Sequence, residues 1–576
     1  MNYLEKYNIW VENPYFDEET RLELMAIKND EKEIEERFYR ELEFGTGGLR
    51  GIIGAGTNRM NKYVVRKASQ GLSNFILKRN ISSPSIAIAY DSRHRSAEFA
   101  VESARVFARN GIKSYLFDGL RPTPELSFVV RHLNCSAGVV ITASHNPKEY
   151  NGYKVYGKDG GQLPLSLSEV VMEEVNKIRD ITSIKVMDFN AAKEAGLIEM
   201  IGQEIDDEYI ESLKTLSVLK IDQEVLDKCR IIYTPIHGAG NIPVRRILKE
   251  TGFNNIYVVP EQELPDPDFS TVKYPNPEEK AAFVLAISMA KDMDVDLIIG
   301  TDPDCDRVGV VVKNRNGEYV TLTGNQTGCL LMEYILQGLK RQGKLPPNGF
   351  VVKTIVTTEL ARKIADFYNV KLVEVLTGFK FIGEQILHRD EQGNEKFIFG
   401  FEESYGYLAG TFVRDKDAVV ASMLIAEMYA WYKSRNLTLY DGIMELYDKY
   451  GYEKEGLDSF TLDGREGVEK IQNAMNRLRD EQPSMFGNIA VKAIRDYEKK
   501  IRIDIENGTA EPMELPKSNV LYYETKEGFW FCIRPSGTEP KIKIYYGVSG
   551  ASPVMSEEAL NNLKKQVLSK IRPLLS

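Results

Sequence analysis

At 576 residues, with 43% hydrophobic and 27% charged residues, the chain has an ordinary soluble composition and too much length for a single hydrophobic core. Its 74 Lys plus Arg against 84 Asp plus Glu leave a net charge of −10, which excludes a general attraction to nucleic acid or anionic membrane. The most suggestive apolar stretch, Ala281–Ala290, is too short to span a bilayer, the start of the chain does not read as a signal peptide, and the five scattered cysteines lack a C-x-x-C pair. A reduced cytoplasmic protein is therefore expected, without zinc, membrane or nucleic-acid partners; any anionic ligand must be drawn by a local basic or metal-lined site.

Residues 1–40 are charged and helical in character, with no domain-like apolar pattern. The run Gly45-Thr-Gly-Gly-Leu-Arg-Gly51 superficially resembles a dinucleotide fingerprint, but it follows an acidic helix rather than a strand. No G-x-x-x-x-G-K-[ST] exists to bind a nucleotide, and Arg50 is retained as an anion contact. Up to about residue 200, short strands such as Ile86–Tyr90 and Gly138–Thr142 alternate with amphipathic stretches, the pattern of an α/β domain. The strand at 138 runs directly into Thr142-Ala-Ser-His-Asn-Pro147. A serine at such a strand end can be held exposed at the sheet rim, where α/β proteins bind ligands, and His145 and Asn146 are at hand for it or its substituent. Taken alone, the same run fits an ordinary hydroxyl or Asx turn before proline. No G-x-S-x-G elbow points to acyl transfer.

A polar stretch near Ile205–Gln223 predicts the first boundary, and Arg230–Thr234 opens a second unit. Within it, Gly300-Thr-Asp-Pro-Asp-Cys-Asp-Arg307 lies between the apolar runs Asp296–Gly300 and Arg307–Val312. Asp302, Asp304 and Asp306 repel one another at that spacing, and a hard divalent cation is the natural remedy. Three protein oxygens are few for calcium and suit magnesium, which shares its octahedron with phosphate or water. The glycine and the last glutamate of an EF-hand loop are missing. A third unit spans about 325–449 and contains Gly400-Phe-Glu-Glu-Ser-Tyr-Gly406, whose Glu402 and Ser404 suit sugar hydroxyls as well as plain solvation. Tyr450–Gly456 reads as a linker. In the last unit, Arg534-Pro-Ser-Gly-Thr-Glu-Pro-Lys541 offers forked donors and backbone amides to a phosphate dianion, or forms a surface turn. Lys541–Tyr545 alternates as a half-buried strand. A closing helix with Ser556 as N-cap carries the stripe Leu560, Leu563, Val567 and Ile571.

Together these loops resemble the α-D-phosphohexomutase family, in its order, from about Glu43 to Tyr546: T-A-S-H-N-P, D-P-D-x-D-R, E-E-S-x-G and R-P-S-G-T-E-P. Gly378-Phe-Lys380 and Lys416 are similar to the longer, phosphoglucomutase-type branch. The resemblance implies an α/β protein of four domains around a central cleft, three related α/β domains and a smaller C-terminal α+β domain, at 1–205, 206–324, 325–449 and 450–576. It implies reversible interconversion of α-D-glucose 1-phosphate and glucose 6-phosphate by way of a phosphorylated Ser144 and glucose 1,6-bisphosphate, the latter also serving as primer. Magnesium would be held by Ser144 (through its phosphoryl oxygen), Asp302, Asp304 and Asp306. Arg50, His145, Lys154 and Lys416 match residues around the transferring group, Lys416 being the usual proton-transfer candidate. Arg307, Thr377, Gly378, Lys380, Glu402 and Ser404 match substrate contacts, and Arg534, Ser536, Gly537 and Thr538 the site for the other phosphate. The departure from the family pattern is Phe401 and the segment after Tyr405, which bears on sugar preference. Mannose or pentose phosphates, and synthesis of glucose 1,6-bisphosphate, stay open as alternatives, behind them a phosphohydrolase or a non-catalytic sugar-phosphate sensor. The expected partner is a small sugar phosphate, with the protein a monomer or homodimer.

Overall fold

The computed structural model describes residues 1–43, 48–462, 464–536 and 541–575. They form two compact units, one of residues 1–327 with 379–439 and one of residues 328–378 with 440–576.

In the first unit the expected α/β layering begins as a mixed six-stranded sheet. Its order is Gly48–Ile52, Tyr150–Gly157, Ala137–Ile141, Ser85–Tyr90, Lys113–Phe117 and Ile198–Ile201. Ala137–Ile141 is buried at every position, because both its faces are covered, and so it reads as an apolar run rather than an alternation. It pairs parallel with Ser85–Tyr90 and antiparallel with Tyr150–Gly157, which leaves the loop carrying Ser144 at the sheet rim. Phe75 and Phe99, from the helices Lys62–Leu77 and Ser96–Arg109, pack with Val139 and Ile141 in the core beneath.

The opening residues depart from expectation. Helices Tyr3–Glu12, Glu18–Ala26 and Glu31–Phe38 close on their own small core of Tyr7, Trp10, Phe16 and Phe38 with Tyr63, and Trp10 stacks on Phe16 at 4.3 Å. A few large aromatic side chains supply the area that many aliphatic ones supply elsewhere, so a count of apolar positions misses them.

A second sheet of the same unit runs Tyr319–Thr321, Val308–Lys313, Leu297–Thr301, Arg230–Thr234 and Asn255–Val258. Leu297–Thr301 and Val308–Lys313 are antiparallel, with Thr301 opposite Val308, so residues 302–307 are the tip of a tight hairpin between two buried strands. Arg230–Thr234 lies parallel to Leu297–Thr301, and the loop after Thr234 therefore opens at the same edge as that tip. A further hairpin, Lys396–Glu402 with Gly406–Ala409, sets Glu402 opposite Gly406. The buried helix Ala418–Ser434 follows, capped by Asp417, which accepts from the N–H groups of Val419 and Val420.

In the second unit, Gly349–Thr354 and Lys371–Val375 pair in parallel. An antiparallel path runs Tyr452–Thr461, Lys541–Gly550, Trp530–Pro535, Leu521–Thr525, Ile489–Asp496, Ile501–Asp504 and Ala510–Pro512. Two expectations are corrected here. Most of the supposed linker Tyr450–Gly456 belongs to the ten-residue strand Tyr452–Thr461, which pairs antiparallel with Lys541–Gly550; its exposed positions are Leu457, Ser459 and Thr461, and Glu453 is buried. The last helix starts four residues early, at Pro553, with Ser552 as cap; Ser556 is inside the first turn, its hydroxyl donating to the Tyr452 carbonyl at 2.8 Å. The stripe Leu560, Leu563, Val567 and Ile571 is buried as expected.

Candidate active site

Ser144 sits three residues beyond the strand Ala137–Ile141, buried, with the left-handed φ of +52°. Its Oγ donates to Asp302 Oδ2 at 2.9 Å and lies 3.3 Å from His145 Nδ1. The backbone N–H of Ser144 donates to Thr142 Oγ1 at 2.8 Å, and that hydroxyl donates to Asp91 Oδ2 at 2.6 Å. Asp91 also receives Ser96 Oγ and the N–H of Arg93. The Arg93 guanidinium, fully buried against Asp91, donates to the carbonyls of Ser144, Asn146, Pro147 and Tyr150. Asp91 and Arg93 are thus the frame of the serine loop, and sequence reasoning missed both. They look like a turn, and the carbonyls that Arg93 binds and the Thr142 hydroxyl from which Asp91 accepts are distant in sequence.

The three aspartates close the hairpin tip. Asp302 Oδ1 accepts from the N–H groups of Asp306 and Arg307, at 3.0 and 2.9 Å, which folds the loop back on itself. All three carboxylates are buried and can bring one oxygen each within 4.8 Å of the others. Burial first, then the charges of Asp304 and Asp306, push the Asp302 carboxyl well above its usual range. Oδ1 of Asp304 and Oδ1 of Asp306 are buried and accept no hydrogen bond. Orphaned hard oxygens on clustered anions are what a divalent cation needs, so the residues present fit a metal ion. Thr123, another residue missed from sequence, ties the tip to the first domain: its hydroxyl donates to Asp304 Oδ2 at 2.8 Å and its N–H to the Asp304 carbonyl at 2.9 Å.

Cations ring this acidic core. Lys154 Nζ is 2.8 Å from Asp304 Oδ2 and 3.5 Å from Asp306 Oδ2; Lys416 Nζ is 3.1 Å from Asp306 Oδ2 and 3.2 Å from Asp415 Oδ1. Burial works against the charge on Lys416, but Asp306, Asp415 and Glu402 outweigh it and raise its proton affinity. His145 goes the other way: burial, then Arg307 and Arg50, hold its imidazole well below the usual range and therefore neutral. Arg50, exposed on Gly48–Ile52, donates to Asn146 Oδ1 at 3.0 Å. Arg307 pairs with Glu278 and donates to the Ser404 carbonyl at 2.9 Å, which joins the aspartate tip to the Glu402 hairpin. Glu402 is buried beside Lys416, and burial pushes its carboxyl up to about 7. Lys380, in the first turn of the helix Phe379–Gln392, is brought down to about 8 by burial.

Ser144, His145, Lys154, Lys416, Arg50, Arg307, Glu402, Ser404 and the three aspartates thus come together within the first unit. Thr377, Gly378, Arg534 and Ser536 belong to the second unit: Thr377 and Gly378 follow the strand Lys371–Val375, and Arg534 and Ser536 stand at the end of Trp530–Pro535. Gly537 and Thr538 lie outside the described residues.

Three family models match the chain: the phosphoglucomutase/phosphomannomutase alpha/beta/alpha domain I over residues 41–182, domain II over 207–317 and domain III over 323–450. The chain is 40% identical over 519 residues to a phosphoglucomutase of Staphylococcus haemolyticus (strain JCSC1435), covering 89% of this chain and 92% of that one. It is 38% identical over 540 residues to a phosphoglucomutase of Staphylococcus saprophyticus, covering 94% and 96%. Among solved structures, a putative phosphomannomutase from Thermus thermophilus shares the fold with a TM-score of 0.67 at 22% identity, over 92% of this chain and 99% of that one. The open form of parafusin, a phosphoglucomutase from Paramecium, does so with a TM-score of 0.67 at 17% identity, over 93% and 96%. The architecture is accordingly the four-domain α/β one, three α/β/α domains followed by a sheet-rich C-terminal domain.

Proposed function

This chain belongs to the α-D-phosphohexomutase family, phosphoglucomutase type, and on that premise we propose that it interconverts α-D-glucose 1-phosphate and glucose 6-phosphate. It is an enzyme, a phosphotransferase isomerase of a metal-dependent family, and its buried aspartate trio could bind a metal. The reading assigns magnesium to Asp302, Asp304 and Asp306, and the phosphoryl group to Ser144, primed by glucose 1,6-bisphosphate. The observation that carries it is the 2.9 Å contact of Ser144 Oγ with Asp302 Oδ2, which joins a strand-end nucleophile of one domain to the acidic tip of the next.

Cleaving a phosphate monoester needs very large acceleration, supplied mainly by positioning and charge neutralisation. Magnesium, when bound, neutralises charge on the phosphoryl oxygens. Lys154, Arg307 and Arg50 add fixed positive charge around the same group. A sugar hydroxyl oxygen then bonds to phosphorus, the bond from phosphorus to Ser144 Oγ breaks, the hydroxyl proton leaves to a base and a proton returns to Oγ. Neutral His145, 3.3 Å from Oγ, suits the proton at Ser144; Lys416, held as a cation by Asp306 and Asp415, suits the role of counter-charge. The bisphosphate turns and its other phosphoryl group passes to Ser144 by the same steps in reverse. Thr377, Gly378, Lys380, Glu402 and Ser404 would hold sugar hydroxyls through both halves, and Arg534, Ser536, Gly537 and Thr538 the phosphate not in transfer.

The same reading sets domain boundaries near 205, 324 and 449, supported by the ends of the matched family models. It makes the protein a cytoplasmic monomer or homodimer with no membrane or nucleic-acid partner. The net charge of −10 supports the absence of a nucleic-acid or anionic-membrane partner, and among the described residues no helix is long and apolar enough to cross a membrane. Because the matched models cover phosphomannomutases as well, mannose 1-phosphate is the second substrate to consider. The test is a panel of sugar phosphates with magnesium and a trace of glucose 1,6-bisphosphate. Fastest isomerisation of glucose 1-phosphate is expected; a higher kcat/KM for mannose 1-phosphate would shift the assignment, and steady phosphate release exceeding isomer would replace it with a hydrolase.

A further inference from the structure

Two consecutive non-glycine residues in the loop after Arg230–Thr234 adopt the left-handed conformation, Ile236 at φ +45° and His237 at +60°. For a β-branched residue that is a strained outlier, and it persists only where its surroundings over-determine it. Both side chains are buried. The bend carries the next residues against the aspartate tip. Gly238 comes so near that a Cβ there would fall 2.5 Å from Pro303 Cα, and at Gly240 one would fall 2.6 Å from Thr301 Oγ1 and 2.8 Å from Cys305 Sγ. Between them the N–H of Ala239 donates to the Pro303 carbonyl at 2.8 Å. Pro303 stands between Asp302 and Asp304, so residues 238–240 are the backing on which the carboxylate-bearing tip rests.

The imidazole of His237 holds this bend in place. Its Nδ1 is 3.1 Å from the Leu264 carbonyl, which can only accept, so Nδ1 carries the hydrogen; Nε2 is 2.8 Å from Thr271 Oγ1. The segment gripped in this way also faces the serine loop. Phe269 lies beneath Arg93, 5.0 Å from its guanidinium, and Asp268 pairs with Lys148 at 3.2 Å and His94 at 3.3 Å. One side chain therefore links the backing of the acidic tip to the segment that braces the Ser144 frame.

We propose that His237 is a positioning residue for the metal centre: it fixes the strained Ile236–His237 bend, and through residues 238–240 the spacing of Asp302, Asp304 and Asp306. The inference rests on the reading of those aspartates as a divalent-cation site. Residues that orient metal ligands typically change metal affinity by about 10- to 100-fold when removed.

The test is titration of the full chain with Mn2+, followed by electron paramagnetic resonance, which needs no turnover. His237→Ala is expected to weaken binding about tenfold or more. His237→Asn, whose amide can donate to the Leu264 carbonyl and which tolerates positive φ, is expected to recover most of that loss. An affinity for His237→Ala within twofold of the wild type, or a His237→Asn variant as weak as His237→Ala, overturns the inference. Should His237→Ala fail to fold, Thr271→Val, which removes the Nε2 partner together with the acceptor for Gln262 Nε2, takes its place: weaker Mn2+ binding at unchanged far-UV circular dichroism supports the inference and unchanged binding overturns it. A wild-type chain that binds no Mn2+ would sink the metal reading itself, whereas wild-type binding with an indifferent His237→Ala sinks only the role of His237.

Discussion

Arg93 holds Ser144 by its carbonyl: Nη2 donates to the Ser144 oxygen, and the same guanidinium reaches the carbonyls of Asn146, Pro147 and Tyr150 while paired with the buried Asp91. A planar fork with several donors suits this geometry, and a lysine cannot reproduce it. Arg93→Ala leaves Asp91 as a buried, unpaired charge and is expected to lower unfolding free energy by about 3–5 kcal/mol in denaturant titration. Arg93→Lys keeps a charge but not the fork, and its expected signature is a kcat about 100-fold lower with a smaller loss of stability. A Lys variant with wild-type kcat would remove Arg93 from the site's frame.

Asp302 is the aspartate most burdened by its neighbours, since burial and two like charges all oppose its ionisation. Asp302→Asn keeps an oxygen for the N–H groups of Asp306 and Arg307 and removes one of the repelling charges. In EDTA the variant is expected to melt at or above the wild-type temperature. Magnesium should raise the wild-type Tm by mass action and leave the variant unmoved, with isomerisation lost. A magnesium-dependent rise of equal size in both proteins would contradict the metal assignment.

Asp417 is wholly buried at the start of Ala418–Ser434, and burial pushes its carboxyl up to about 6 from an unfolded value of 3.8. A folded-state value above the unfolded one means that the native state holds the proton more tightly. The associated stability is present below pH 3.8 and is lost as pH rises through about 6. Asp417→Asn keeps an acceptor for Val419, Val420 and Tyr209 without the charge. At pH 7.5 it is expected to exceed wild-type stability by up to about 3 kcal/mol. Near pH 4 the difference should vanish. Thermal melts at the two pH values check this, and a variant less stable than the wild type at pH 7.5 contradicts it.

On the proposed function, Glu402, with its carboxyl near 7, must ionise to accept a sugar hydroxyl with full charge. The expected kcat/KM profile rises with pH through about 7. Glu402→Gln should flatten that limb and lower kcat/KM. An unchanged limb in the variant would assign the titration to another group.

Much of the site was legible because its chemistry is written in short loops between apolar strands. Ser144 and Asp302 are far apart in the chain, yet each follows a buried strand end, and those ends meet. What was not legible depends on backbone reached through space. Arg93 binds carbonyls some fifty residues on, and Ile236–His237 adopts positive φ without a glycine to mark it. The first forty residues hid a core in a few aromatics, and the charged run Glu453–Glu455 with Gly456 hid the strand Tyr452–Thr461. Ser556 offered the residue type of a cap, but Pro553 and Ser552 begin the helix a turn earlier.

On the proposed function, Ser144 carries the phosphoryl group between the two positions of the sugar, and every other role assigned in the site depends on that step. Peptide mass spectrometry of the chain after incubation with magnesium and glucose 1,6-bisphosphate, then with excess glucose 6-phosphate, tests it most directly. The expected result is one phosphoryl group on the peptide containing Ser144, lost when it passes to a sugar hydroxyl, with Ser144→Ala unlabelled and without isomerase activity. Isomerisation by a chain that never bears phosphate at Ser144, or by Ser144→Ala, would contradict the phosphoserine role.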